Sequence, residues 1–202
     1  MKRVFLALIA LIATLSASAE FRWGPTAGIN ISTLDWKQDL ITTKQTVGVN
    51  VGLMGEIMIP GIGFGVDFAL KYAMHGAKVN FGEKTVWSAD GFGNENVRLH
   101  TLQIPVNLRF KWTRMNGAEH WAAPFVYGGP VFTFNLSDGN LSCIEHPEGS
   151  VALQCGVGGE FLEQFQLSIG YLWGVSYDVR TVKLDNFSAR NRGWQINVAW
   201  LF

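Results

Sequence analysis

Residues Gly193 to Phe202 read GWQINVAWLF and show an alternation with a period of two. Every second side chain is large and apolar: Trp194, Ile196, Val198, Trp200 and Phe202. The side chains between them are polar or small, apart from Leu201. Because successive side chains of a β-strand point to opposite faces, this pattern predicts a strand with one apolar and one mostly polar face.

An apolar face with two tryptophans and a final phenylalanine is unusual for a soluble strand. It suits the closing strand of a transmembrane β-barrel, whose outer face contacts lipid and whose aromatic side chains lie at the membrane interfaces. Bacterial outer-membrane barrels commonly end in such a strand with an aromatic final residue. We therefore interpret the five apolar residues as a C-terminal barrel signal and expect the barrel assembly machinery to be a partner of this strand.

The first residues have the layout of a secretory signal peptide. Lys2 and Arg3 precede an apolar stretch, and Ala17-Ser18-Ala19 supplies small residues at the predicted cleavage site. The prediction is a signal peptide over 1–19 and an outer-membrane β-barrel domain over 20–202. Because Glu20 rather than a cysteine follows the cut, lipidation there is not expected.

Charge and hydropathy exclude several classes of protein. The chain has 16 basic and 16 acidic residues, so no basic excess exists and nucleic acid is not an expected partner. The most apolar stretch after the signal, 47–70, is interrupted by Glu56, Pro60 and Asp67, which argues against a transmembrane helix. Yet 48% of the residues are hydrophobic and 13% are aromatic. An exported chain of this kind is typical of β-structure that faces lipid.

Eight alternating segments follow one another along the mature chain. The predicted connections are alternately long and short: 35–46, 60–62, 76–97, 113–122, 137–150, 162–164 and 178–191. Outer-membrane barrels have long outer loops and short periplasmic turns. The predicted fold is therefore all-β, an eight-stranded antiparallel up-and-down transmembrane β-barrel. Pro130 is unusual within the fifth segment, Ala123–Leu136, because proline cannot donate to a strand ladder.

The aromatic residues follow the same geometry. One group is predicted at the periplasmic ends of the strands: Trp23, Phe64, Phe110, Trp112, Phe161, Phe165, Trp200 and Phe202. A smaller group, Tyr72, Tyr177 and Trp194, is predicted at the other rim. Such belts mark membrane interfaces. The alternative, a soluble ligand-binding barrel with scattered core aromatics, does not explain why so many lie at one level.

The arrangement resembles the PorT-like family of outer-membrane β-barrels. The stretches that carry the resemblance are GPTAGINIS at Gly24–Ser32, LQIPVNLRF at Leu102–Phe110, PFVYGGPVF at Pro124–Phe132, and the final strand. The resemblance covers essentially the mature chain, and it implies the fold and an outer-membrane location. The founding member of that family is associated with protein secretion across the outer membrane, whereas these motifs are strand patterns rather than catalytic signatures.

Charged residues are predicted inside the barrel, where they form a lumenal charge cluster: Glu56, Asp67, Lys71, Arg109, Lys111 and Glu160. If the second and third strands pair as expected, Glu56 lies opposite Asp67, and like charges directly opposed destabilise a sheet. Arg109 on the next strand is the expected bridging cation. An ion-pair plug is the favoured interpretation, and a gate or proton path is the alternative.

Catalytic, cofactor-binding and metal-binding residues are not predicted. The four histidines show no ligand spacing, and no Ser/His/acid or paired-acid arrangement is legible. His75 with Asp90 or Asp178 is the conceivable basis of an enzyme at the outer rim. The glycines of Gly61–Gly65 resemble a nucleotide loop, but no helix follows, so a turn is the better interpretation.

Cys143 and Cys155 are twelve residues apart, and in an oxidising compartment they form a possible disulfide. Cys155 is predicted to point outward, so two free thiols are the alternative.

The predicted function is that of a non-enzymatic barrel in the outer membrane of a Gram-negative bacterium, with a structural, adaptor or recognition role exercised through its outer loops. Outer-membrane lipids are its expected partners. The alternative is an accessory component of a secretion or envelope-assembly machine, which would dock on the periplasmic turn 113–122 with Trp121.

Overall fold

The computed structural model describes residues 20–36, 42–59, 61–80, 94–113, 117, 120–136, 144–145, 149–176, 179–181 and 188–202. Eight long strands are β1 (Glu20–Trp36), β2 (Thr42–Met58), β3 (Phe64–Asn80), β4 (Asn94–Lys111), β5 (Ala122–Asn135), β7 (Gly149–Phe161), β8 (Phe165–Gly174) and β10 (Ser188–Trp200). Two short strands are β6 (Ile144–Glu145) and β9 (Val179–Thr181). The predicted signal peptide, 1–19, lies outside the described residues.

The eight long strands form a closed antiparallel barrel in which sequence neighbours are also spatial neighbours. The ring closes between β1 and β10, whose register pairs Thr26 with Ala199. Closure extends to the chain end, where the Phe202 N–H donates to the Trp23 carbonyl at 3.0 Å and the Trp23 N–H donates back at 3.2 Å. The predicted eight-stranded antiparallel fold is confirmed.

Apolar side chains cover the outside of this cylinder, and polar ones line its interior. On β10 and just after it, the five alternate apolar residues from Trp194 to Phe202 are all exposed, whereas Asn197, Ala199 and Leu201 are buried. The other strands show the same inversion, with Val49 and Val51 exposed on either side of the buried Asn50. The predicted strand faces therefore agree with the structure.

The strands at the end with the long connections run further than their apolar faces predicted. β3 continues to Asn80 and β4 begins at Asn94, although 76–97 was expected to be a connection. β6 and β9 lie within the expected connections 137–150 and 178–191, pair with each other, and continue onto β10. The alternation of apolar residues marks only the part of a strand that faces lipid, whereas backbone pairing continues beyond it.

The opposite end, here called the short-turn end, carries tight connections. Three residues connect β7 and β8, and the first two, Leu162 and Glu163, have positive φ, at 53° and 60°. The Gln164 N–H donates to the Phe161 carbonyl at 3.2 Å across this turn. The predicted short turn at 162–164 is confirmed as a three-residue hairpin connection built without glycine.

Aromatic rings cluster at the short-turn end, where they had been predicted. The Trp23 and Phe202 rings meet across the barrel closure at 4.9 Å, and the Phe64 and Phe110 rings meet at 4.8 Å on neighbouring strands. At the other end Tyr171 contacts Trp194 at 5.0 Å. Tyr177, predicted for that rim, lies outside the described residues.

Pro130 lies within β5 at an interruption of its ladder with β4. Pairing joins 101–105 with 131–135 and 108–111 with 125–128, so these two described strands leave Val106, Asn107, Gly129 and Pro130 without a ladder partner across that seam. On its other side β5 pairs continuously with β7, including Pro130 with Leu153. The missing N–H of proline is therefore placed where the ladder does not need it.

Among the described residues, none forms a helix long and apolar enough to span a membrane.

Candidate functional site

The interior of the barrel near the short-turn end holds an ion-pair network, here called the plug. Glu56 on β2 is its centre, and its side chain is completely buried. The β2–β3 register places Glu56 directly opposite Asp67. Two carboxylates at this spacing repel each other in a medium of low dielectric constant, so cations have to lie between or beside them.

Arg109 on β4 provides the bridge between these two carboxylates. Its Nη1 donates to Glu56 Oε2 at 2.6 Å, and its Nε donates to Asp67 Oδ2 at 2.9 Å. The guanidinium carbon also lies 4.1 Å from the centre of the Phe125 ring. A planar guanidinium with several fixed donors suits this task, because it can serve two carboxylates and stack on an aromatic ring at the same time.

Glu160 on β7 and Lys111 on β4 continue the network toward the short-turn end. Lys111 Nζ donates to Glu56 Oε1 at 2.9 Å and to Glu160 Oε2 at 2.8 Å. Five of the six residues of the predicted lumenal charge cluster therefore meet in one network of ion pairs: Glu56, Asp67, Arg109, Lys111 and Glu160.

Lys71, the sixth predicted member, lies apart from these ion pairs. It is on β3, and with Asp67 it lines a small cavity deeper in the lumen. The Asp67 carboxylate attracts it and the Arg109 guanidinium repels it. The sequence prediction grouped Lys71 with the others because it shares their face, but face alone does not give its depth.

Two members of the plug were not in the predicted cluster. Arg22 on β1 donates through Nη2 to Glu56 at 2.6 Å and to Glu160 at 2.7 Å. Gln166 on β8 donates through Nε2 to the same two carboxylates, at 2.7 Å each. The alternation already placed both on the inner face, and the pairing of Arg22 with Glu56 in the β1–β2 register was the signal that would have added Arg22.

Two large aromatic side chains fill the lumen beside the plug. Phe125 is buried, and a Cβ at Gly158 of β7 would collide with its ring. Tyr127 likewise occupies the space that side chains at Gly156 and Gly170 would take. The glycines on β7 and β8 thus make room for the rings of β5, a large-and-small pairing that fills a narrow barrel.

The lumen is consequently closed over its described part. Below the plug, Met58, Ala123 and Leu201 are buried at the short-turn end. A mouth of about 560 Å³ opens to solvent at this end and is lined by Arg22, Lys111 and Glu160 of the plug, whereas the cavity beside Lys71 measures only about 30 Å³. An eight-stranded barrel is expected to be filled by its own side chains, and this one follows that rule.

The comparisons with known proteins agree with this geometry. The family model described as "Outer membrane protein beta-barrel domain" matches residues 4–202. The chain belongs to this family. Membership places the barrel in the outer membrane. A search of the curated proteins finds no match.

Solved structures of other outer-membrane barrels resemble this family member. OprG from Pseudomonas aeruginosa aligns with a TM-score of 0.56 and 13% identity over 91% of this chain and 95% of its own. Ail of Yersinia pestis aligns at 0.46 with 13% identity over 91% and 99%. The outer membrane enzyme PagL aligns at 0.49 with 9% identity over 86% and 98%. The likeness to OprG supports the fold, and the other two carry no argument about function.

The remaining candidates lie on the surface of this outer-membrane barrel or beyond the described residues. His100 accepts or donates a 2.6 Å hydrogen bond with Tyr72 on the lipid-facing side, and His120 pairs with Glu163 at the short-turn end. The side chain of His75, together with Asp90, Asp178 and His146, lies outside the described part. Within that part, no group of three or more His, Cys, Asp or Glu side chains could hold a metal ion.

Cys155 is exposed on the outer face of β7 and forms no disulfide with another described residue. Its suggested partner Cys143 lies outside the described residues. The bridge therefore stays a prediction, and a thiol count on denatured, non-reduced protein decides between a disulfide and two free thiols.

Proposed function

We propose that this outer-membrane barrel is non-enzymatic and non-conducting, and that it acts through surfaces outside its lumen. The observation that carries the proposal is the plug, in which Glu56 is fully buried and forms ion pairs with three cations. A lumen crossed by paired charges and packed aromatic rings offers neither a water-filled path nor space for a substrate. The outer loops then remain as surfaces for recognition or for a structural or adaptor role.

Conductance across a planar bilayer tests the first part. The purified, refolded barrel should give no stepwise current in salt solution, whereas a porin reconstituted in parallel should. Regular single-channel steps from the purified barrel would contradict the proposal. The enzymatic alternative at the outer rim is tested on the same preparation with lipid and peptide substrates, where we expect no hydrolysis.

A second role, as an accessory component of a secretion or assembly machine, is favoured by one feature of the short-turn end. Trp121 is 74% exposed and Leu162 in the adjacent turn is 57% exposed. The Leu162 N–H donates to the Trp121 carbonyl at 3.3 Å, so the two connections are held together. The PorT-like resemblance, which implies a link with secretion, points in the same direction.

Co-purification from native outer membrane separates the two roles. A machine component should bring down the same partner proteins repeatedly, and Trp121→Ser with Leu162→Ser should lose them while Leu136→Ser, at the opposite end, keeps them. A structural barrel should bring down lipid and no stoichiometric protein. In either case we propose a Gram-negative host, cleavage before Glu20, and recognition of β10 by the barrel assembly machinery.

A further inference from the structure

The charges of the plug cancel, and Lys71 is a further charged side chain of the described lumen that lies outside it. Arg22, Arg109 and Lys111 face Glu56, Asp67 and Glu160, three cations against three carboxylates, and each of the six takes part in an ion pair. Lys71 is an additional cation on the same inner face. Among the described residues it forms no ion pair within 4.0 Å.

The carboxylate that attracts Lys71 is already engaged. Asp67 accepts from Arg109 Nε at 2.9 Å through one oxygen and from Asn107 Nδ2 at 2.6 Å through the other. Arg109 in turn repels Lys71. Lys71 is half-buried. A cation that is only partly hydrated inside a cylinder surrounded by lipid is costly, because neither the protein interior nor the bilayer solvates it as water does.

A cavity lies where a compensating group is needed. It measures about 30 Å³, and its wall includes Lys71, Arg109, Tyr127, Ser168 and Asn197, together with Asp67. A water molecule needs about 10–15 Å³ by this measure, so the space suits one small ion or one to two waters. Most of the polar wall can donate hydrogen bonds to an anion, since ammonium, guanidinium, hydroxyl and amide groups all carry N–H or O–H.

We propose that this cavity binds a monovalent inorganic anion of about the size of chloride, held by Lys71 and neutralising the lumen. Water would solvate the ammonium group but would not remove its charge. A larger or divalent anion does not fit, because the cavity is small and Asp67 borders it. The site is independent of any role of the outer loops.

Bromide provides a direct test with the unaltered protein. Crystals of the refolded barrel grown in sodium bromide should show an anomalous difference peak inside the cavity, bordered by Lys71 and Tyr127. Crystals of Lys71→Met should lose it. A cavity that holds only water or nothing in the wild-type crystal would overturn the proposal.

A solution experiment tests whether the anion also binds outside the crystal, and not only at the salt concentration used for crystal growth. At constant ionic strength, replacing gluconate by chloride should raise the folded-to-unfolded ratio of the wild-type barrel, by up to tenfold for each tenfold rise in chloride above its dissociation constant. Lys71→Arg should keep this dependence and Lys71→Met should lose it. A bromide peak without any chloride dependence of the wild type would mark an adventitious ion and overturn the proposal. Both wild-type measurements decide the matter even if Lys71→Met fails to fold.

Discussion

Glu56 and Asp67 are direct cross-strand neighbours that both point into the lumen, and Arg109 binds one oxygen of each. This relationship explains how a sheet tolerates two opposed carboxylates, since the guanidinium turns a repulsion into two ion pairs. We therefore expect substitution of Arg109 to lower the free energy of unfolding more than substitution of any other plug residue.

We predict that Arg109→Leu lowers the free energy of unfolding by about 3–5 kcal/mol, because two buried carboxylates then lose their shared cation. Urea unfolding of the barrel in detergent micelles, followed by tryptophan fluorescence, measures the change. Glu163→Gln is the matched control: its ion pair with His120 is exposed, so we expect a loss below about 1 kcal/mol. An unchanged midpoint for Arg109→Leu would remove Arg109 from the plug.

The contact between Tyr127 and Gly170 predicts a coupling between two substitutions. Gly170→Ala should cost about 1–3 kcal/mol, because the new methyl group collides with the Tyr127 hydroxyl. Tyr127→Phe alone should cost about 1 kcal/mol, because the polar interaction of its hydroxyl with Ser168 is lost. The double variant should lose clearly less than the two costs together, since the hydroxyl in the way is gone. Strict additivity would show that the two positions do not touch.

We predict that substitutions in the turn between β7 and β8 can raise the free energy of unfolding. Leu162 and Glu163 both occupy the left-handed region, which costs residues with a side chain about 1–2 kcal/mol each. Replacing them by Asn-Gly, the pair preferred where two successive turn residues have positive φ, should raise the free energy of unfolding by about 1–2 kcal/mol. Leu162→Ala serves as the control, because alanine gains nothing at positive φ. A less stable Asn-Gly variant would mean that the Leu162 or Glu163 side chain contributes more than the turn costs.

The lipid-facing side can be mapped with spin labels at Val106 and Ile169, both exposed apolar residues of the outer face. In a background with both cysteines replaced by serine, the two labels should be accessible to oxygen, which concentrates in the bilayer, and shielded from a water-soluble nickel chelate. A label at Trp121 on the short-turn side should show the opposite preference. Aqueous accessibility at Val106 and Ile169 would contradict a transmembrane barrel.

Most of the fold could be predicted from the sequence, because apolar residues that face lipid alternate with polar residues that face the lumen along each strand of a membrane barrel. The inner position of Arg22 followed in the same way, but its ion pairs with Glu56 and Glu160 depend on depth. Depth requires the register of neighbouring strands, and register depends on where each hairpin turns. The separate position of Lys71 was missed for that reason.

Other features could not be read from alternation at all. β6 and β9 join residues more than thirty positions apart, 144–145 with 180–181, and no local pattern announces such pairing. The filling of the lumen by Phe125 and Tyr127 depends on glycines of two other strands. From the sequence, a glycine at an inner position is only a small residue. That it makes room for an aromatic ring can be recognised only when the neighbouring strand is known.

The ladders of β4 are interrupted on both of its sides, opposite Pro130 of β5 and at Pro105 where β4 faces β3, and these two gaps weaken the cylinder beside β4. Opposite Pro130 the strands are held by side chains and by the lipid that contacts Val106, whereas the β1–β10 ladder is continuous from Thr26 to Trp36. Amide protons that flank this gap should exchange with heavy water earlier than those at the same depth on the β1–β10 closure. A barrel forced open sideways would therefore separate beside β4 before it separates at the junction where its two ends meet.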